Sequence, residues 1–186
     1  FMSLARQRDL AMVGLGLLII ILDQLTKRWV VSYFSTKPEG YTVPILGQTL
    51  SLEYVRNPGV AFSLLEGQMV MFLFIAIAIG VIGYLYWRSR ETGSLALKLT
   101  FGLVLGGAVG NLIDRFSHSY VVDFIHFQIP AIHFDFAVFN VADSAISIGV
   151  VLLAFMIWRM GTEGERPTSS RRSLSASDTA ETPAED

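Results

Sequence analysis

Two aspartates stand where an apolar chain would not be expected to place a charge. Asp123 lies in Tyr120-Val-Val-Asp-Phe-Ile-His-Phe127, and Asp143 lies in Phe139-Asn-Val-Ala-Asp-Ser144. Neither neighbour of Asp123 can neutralise it and no helix start is evident beside it, so its partner must come from elsewhere in the chain. Asp143, which opens the next apolar run, is the natural candidate. Two carboxyl groups in a partly desolvated pocket cannot both ionise comfortably. One proton is shared, and the pair titrates in two separated steps. Such a pair can hold a water, take its proton as base and protonate a leaving nitrogen as acid. That is aspartic peptidase chemistry, which needs neither a metal nor a covalent intermediate. Asp135, in His133-Phe-Asp-Phe136, competes for the place of Asp123, and residue chemistry alone does not rank the two.

Other polar residues gather near the same ends of the apolar runs: Asp23 and Lys27, Asn57, then Asn111, Asp114 and Arg115, then Asn140. Ionisable groups inside a bilayer cost about 2.5–3.5 kcal/mol each on insertion scales, so their placement carries information. Several of them also have a purely structural explanation. Asp23 and Lys27 are one helical turn apart and can neutralise each other. Arg115 can pair with Asp114, favour a helix C-terminus, or hold an anionic group. Asn140 can cap a helix whose first turn welcomes Asp143. The histidines His118, His126 and His133 lack the spacing of zinc ligands and read as interfacial aromatic packing. No metal and no cofactor is expected.

The elements that must position these residues belong to a membrane protein. Of 186 residues, 52% are hydrophobic and only 16% charged, with mean hydropathy +0.52; soluble domains carry about 25% charge. The net charge of −2 gives no case for nucleic acid, and the lack of cysteine excludes disulfides and thiol nucleophiles. A bilayer core about 30 Å thick requires roughly 20 apolar residues per spanning helix. Four spans are expected, at about 10–29, 69–87, 97–113 and 142–158, with Lys98 snorkelling from a helix end. Gly102, Gly106, Gly107 and Gly110 give the small-xxx-small spacing of closely packed membrane helices. Lys and Arg are denser in the termini and the 88–98 loop than in the two long loops, 30–68 and 114–141. The positive-inside rule then places both termini in the cytoplasm and both long loops outside. In the first of those loops, Val43–Leu46 and Leu50–Val55 flank Gly47-Gln-Thr49 and read as a small hairpin or curved sheet. The second is too apolar to float freely and is expected to fold partly into the headgroup zone. Residues 161–186 are rich in Ser, Thr, Glu, Pro and Ala and are expected to be a disordered cytoplasmic tail.

Five stretches together resemble the bacterial lipoprotein signal peptidase (signal peptidase II) family. They are Asp23-Gln-Leu-Thr-Lys27, Asn57-Pro-Gly-Val-Ala-Phe-Ser63, Gly106-Gly-Ala-Val-Gly-Asn-Leu-Ile-Asp-Arg115, Val122-Asp-Phe124 and Phe139-Asn-Val-Ala-Asp-Ser144. The resemblance covers residues 9–160. It implies a membrane α-helical fold of four transmembrane helices with a small periplasmic β-cradle at the outer face of the inner membrane. It further implies that Asp123 and Asp143 are the catalytic pair, in preference to Asp135. Asn57, Asn111, Arg115 and Asn140 would orient the substrate and the pair, with Asp23, Lys27 and Asp114 in support. The implied substrates are prolipoproteins carrying a diacylglyceryl-cysteine, cut immediately before that cysteine, with membrane lipid and globomycin-type inhibitors as further partners. A proton-coupled transporter, a non-enzymatic scaffold and a metal-dependent lipid phosphatase are the weaker alternatives.

Overall fold

The computed structural model describes residues 2–59 and 68–164. Residues 60–63 of the Asn57–Ser63 stretch, and the tail from 165 onward, lie outside them. Helix α1 (Leu4–Phe34) begins where Ser3 Oγ accepts from the Arg6 N–H at 3.4 Å. Its 31 residues extend about 46 Å at 1.5 Å per residue, more than the hydrocarbon core needs. Helix α2 is Gln68–Ser89, α3 is Leu95–His118 and α4 is Val141–Gly164. Three of these, among the described residues, are long and apolar enough to cross a membrane: α1, α3 and the Val141–Arg159 part of α4. Helix α4 runs through Gly161 to Gly164, so the chain stays regular slightly beyond the expected start of the tail.

Contacts divide the chain into a unit ending at Leu153 and a second from Ala154. In the second, the rings of Phe155 and Trp158 lie 5.9 Å apart. Within the first, glycines set the helix spacing. A Cβ on Gly102 would stand 2.7 Å from Met12 O, and one on Gly106 would stand 2.7 Å from Gly16 O. Helices α1 and α3 therefore touch backbone to backbone, as small residues in membrane helices permit. Gly107 lets α3 meet the start of α4, where an added Cβ would lie 2.5 Å from Ala142 O. Phe101 and Val104 of α3 bury Ile82 of α2 in an apolar cluster.

Lys98 differs from expectation. It is fully buried and does not snorkel: Nζ lies 2.8 Å from Asp9 Oδ1, donates to Arg90 O at 3.0 Å, and sits 4.1 Å from the centre of the Tyr86 ring. A charge-bearing partner on α1 makes burial affordable where a lone ammonium would have to seek water.

The strands form one sheet in the order β1-β2-β3-β4. Strands β1 (Val43–Leu46) and β2 (Leu50–Asn57) are the expected hairpin, turning through Gly47 at φ +52°. The second long loop contributes β3 (Val121–Ile129) and the short β4 (Phe134–Asp135), and β3 pairs antiparallel with β2. What read as a partly folded loop is thus the strand that joins both loops into one sheet. Its inner face is apolar because Val122 and Phe124 pack on Val30 and Phe34 at the end of α1.

The α1–α3 contact is directly testable. Gly106→Val should destabilise the protein by about 1–3 kcal/mol, since both backbones would have to part. Gly14→Ala, at a helical glycine with open space around it, should leave the thermal midpoint in detergent unchanged or slightly raised.

Candidate active site

Strand pairing decides where Asp123 sits. Val55 of β2 faces Asp123 of β3, so Asn57, two residues on, is its diagonal neighbour on the same face. From there Asn57 Nδ2 donates to Asp123 Oδ2 at 2.8 Å. The chain returns past β3 at Phe139, whose carbonyl accepts from the N–H groups of Phe124 and Ile125 at 3.0 and 2.8 Å. That return delivers Asn140 beside Asp123, and Asn140 Nδ2 donates to Asp123 Oδ1 at 2.7 Å.

Asn140 is also the cap of α4. Its Oδ1 accepts from the Asp143 N–H at 2.9 Å, and Asp143 Oδ2 accepts from the Asn140 N–H at 3.2 Å. This reciprocal pair is a capping box, with Asp in the position usually held by Glu. The structural reading of Asn140 and Asp143 as a helix start is therefore correct, and the same geometry serves the carboxylates. One asparagine donates to both acids, by its side chain to Asp123 and by its backbone to Asp143. Asn111 of α3 adds a third amide, donating from Nδ2 to Asp143 Oδ1 at 2.7 Å.

Behind the amides lies a buried ion network. Lys27 Nζ is 2.8 Å from Asp23 Oδ2, 2.9 Å from Asp114 Oδ2 and 2.9 Å from Asn111 Oδ1, which uses all three of its N–H groups. The i,i+4 pairing of Asp23 with Lys27 is present, but Asp114 turns to Lys27 as well. Each acid also holds backbone: Asp23 Oδ1 accepts from the Ala142 N–H and Asp114 Oδ2 from the Val122 N–H, both at 3.0 Å. The approach of Asp23 needs Gly110, where a Cβ would lie 2.7 Å from Oδ2. Gln24 was not singled out in the sequence, yet its Nε2 donates to Asp114 Oδ1 at 2.9 Å and to Gly110 O at 3.2 Å. The only local signal was its place inside the Asp23–Lys27 stretch.

Arg115 is half-buried, donates from a terminal nitrogen to Asn111 O at 3.2 Å, and feels the charges of Asp143, Asp123 and Asp114. Asp135 stands apart on exposed β4, 2.6 Å from His126 Nε2, while His126 Nδ1 lies 3.4 Å from Glu53. His126 is thus bound to acids on both neighbouring strands, where packing alone was expected; His118 does pack against Tyr120, with ring centres 5.6 Å apart and the planes tilted. Asp123 is buried and Asp143 half-buried. Burial first, and then the charge of Asp143, push the Asp123 carboxyl up to about 6 against the lowering hydrogen bonds from Asn57 and Asn140.

Two measurements follow. The folded chain holds a proton on Asp123 from the ordinary carboxyl range up to about pH 6. The contribution of this group to stability is therefore full below the ordinary range and is lost as pH rises through 6. Infrared titration should show a protonated-carboxyl band disappearing near pH 6, absent in Asp123→Asn. Lys27→Met, which leaves two buried acids facing each other, should lower unfolding stability by about 3–5 kcal/mol.

Comparison with known proteins gives this geometry a family. A family model described as Signal peptidase (SPase) II matches residues 15–159. The lipoprotein signal peptidase of Bacillus velezensis is 42% identical over 154 residues, covering 82% of this chain and 97% of that one. The lipoprotein signal peptidase of Shouchella clausii is 45% identical over 154 residues, covering 82% and 96%. Two solved structures of bacterial membrane enzymes superpose with TM-scores of 0.69 and 0.66, at 27% and 29% identity. They cover 84% and 78% of this chain and 92% and 91% of their own. With helices fit to cross a bilayer, and with a family match along most of its length, the chain belongs to the signal peptidase II family of membrane peptidases.

Proposed function

We propose that this protein is an aspartic endopeptidase of the inner membrane that removes the signal peptide from diacylglyceryl-modified prolipoproteins, cutting immediately before the lipidated cysteine. Asp123 and Asp143 are the reacting pair. The observation that carries this reading is the double donation by Asn140, which ties one carboxyl to the other. Family membership supports the substrate, because its relatives are named lipoprotein signal peptidases.

The chemistry is a direct hydrolysis. A water between the carboxyl groups gives a proton to the ionised member of the pair while its oxygen attacks the scissile carbonyl carbon. The tetrahedral intermediate collapses as the C–N bond breaks, and the protonated carboxyl gives its proton to the departing nitrogen. Asp123, with its carboxyl pushed up to about 6 in the sheet, is the member that keeps the shared proton. Asp143 accepts N–H donors at the start of α4, where the positive helix end favours negative charge. Neutral amides surround both groups, so the proton can cross between them without breaking an ion pair. Asn57, Asn111, Asn140 and Arg115 orient the pair and the substrate backbone, and Asp23, Lys27 and Asp114 hold the elements that carry them.

Four helices span the membrane in this reading, with α2 as the fourth, both termini cytoplasmic and the carboxyl pair at the periplasmic face. The density of Lys and Arg in the termini and the 88–98 loop supports that orientation. Globomycin-type inhibitors would occupy the same site.

The test is cleavage of a diacylglyceryl-modified prolipoprotein by detergent-purified protein with EDTA present. Turnover should survive chelation and should fall by about 10²–10⁴-fold or more in Asp123→Asn and in Asp143→Asn, each still inserted and helical. Normal turnover by either variant, or loss of activity with the chelator, would sink the assignment.

A further inference from the structure

Arg28 is left over once the carboxylate network is built. Lys27, its neighbour, is consumed by three acceptors, whereas no hydrogen bond or ion pair engages the Arg28 guanidinium among the described residues. It is a cation on the side of the membrane where the other Lys and Arg of the chain are sparse, and the site does not use it. It lines a cavity of about 470 Å³ between α1 and α3, within the roughly 300–1,000 Å³ of small-molecule sites.

The other polar walls are Gln24 and Ser32 on α1, the latter one turn after Arg28, and Ser117 with His118 on α3. Lys27 and Asp114 also face the cavity. The Asp114 carboxylate already accepts from Lys27, Gln24 and the Val122 N–H, so most of its acceptor capacity is turned away from a ligand in the cavity. Gln24 has its amide nitrogen committed to Asp114 and Gly110, and the remaining groups are a guanidinium, two hydroxyls and an imidazole, a set weighted towards donors. Beyond His118 stands a further cation: the His118 and Tyr120 rings lie 5.6 Å apart at a tilt, and the Arg56 guanidinium lies 5.4 Å from the centre of the Tyr120 ring. A guanidinium fork with hydroxyl donors suits the tetrahedral oxygens of a phosphoryl group.

Depth in the bilayer favours one source of that group. Trp29 and Tyr33, exposed on α1 next to Arg28 and Ser32, stack with ring centres 5.5 Å apart. Exposed Trp and Tyr near a helix end mark the headgroup level of a membrane. We propose that the cavity between α1 and α3 is a phosphoryl-binding site, filled by the headgroup phosphate of a membrane phospholipid and held chiefly by Arg28. A diacylglyceryl-cysteine carries no phosphate, so this ligand is distinct from the proposed substrate, and the inference stands whether or not the peptidase reading holds. A lipid bound there would brace the ends of α1 and α3 over the buried Lys27 network.

The test is phosphorus NMR of the full chain in a phosphate-free, non-ionic detergent, titrated into dihexanoyl phosphatidylglycerol and, separately, into inorganic phosphate. Dihexanoylglycerol serves as the competitor that lacks phosphorus. Saturable broadening of the phosphatidylglycerol signal is expected, weakened by about ten-fold in Arg28→Gln and partly restored in Arg28→Lys. A site that takes inorganic phosphate as tightly as the lipid is a phosphoryl site supplied from solution; one that takes it at least ten-fold more weakly, as expected, is supplied by lipid. The Ser32→Ala, Ser117→Ala double variant should weaken binding too, and it decides the matter if Arg28→Gln loses its helical circular dichroism. Absence of saturable broadening, binding unchanged by these substitutions, or full relief of the broadening by an equimolar amount of dihexanoylglycerol would overturn the proposal.

Discussion

The ammonium of Lys27 is an expensive object to bury, and most of the site follows from how it is satisfied. Out of water it needs an acceptor for each of its three N–H groups and negative charge close by. Asp23 supplies one acceptor from the same helix, and Asp114 and Asn111 supply two from α3. Two acids around one ammonium leave an excess negative charge, which further donors must meet. They are the backbone N–H groups of Ala142 and Val122 and the amide of Gln24. Ala142 directly precedes Asp143, and Val122 directly precedes Asp123. A single buried cation thus anchors the start of α4 and the start of β3 at once, and so fixes the two carboxyl-bearing positions relative to each other.

Between this ionic base and the carboxyl pair lies a layer of neutral amides. Asn111 accepts from Lys27 with its oxygen and donates to Asp143 with its nitrogen. Asn140 Nδ2 has three acceptors within reach: Asp123 Oδ1 at 2.7 Å, Asn111 Oδ1 at 3.1 Å and Val122 O at 3.3 Å. With only two hydrogens on that nitrogen, one must be shared, and the shortest contact goes to the carboxyl. An amide can donate to a carboxylate and still tolerate its protonation. A lysine or arginine in direct contact would instead pin the group in its charged form. The order thus runs from ion network to amides to acids.

How much of this was legible in the sequence depended on how far apart the partners lie along the chain. The hairpin of β1 and β2 was readable because its turn and both strands are contiguous, and the cap of α4 because Asn140 and Asp143 are three residues apart. Strand β3 was not read as a strand, since its partner residues on β2 lie 64 to 77 positions away and its apolar residues occupy both faces. Lys98 was misjudged for the same reason, because Asp9 is on another helix and a lysine near a helix end has an easier route in snorkelling. Asp114 beside Arg115 invited a local pair, yet burial favoured the lysine already desolvated next to it. The glycines of α3 did announce close packing, though not that Gly110 makes room for a carboxylate rather than for a helix.

The unequal surroundings of the two carboxyl groups have a structural origin that neither sequence segment carries alone. Asp143 sits in the first turn of a helix, where backbone N–H groups point at it whatever else the fold does. Asp123 sits in a strand, whose backbone donors are directed along the sheet to β2 and to Phe139 and give its side chain no comparable dipole. Among the described residues its side chain accepts from two asparagine amides, and burial outweighs them, so its carboxyl rises. A pair built from two helices or two strands would lack this asymmetry. One acid thus stands on each kind of element, and the Lys27 network is what brings those two elements edge to end.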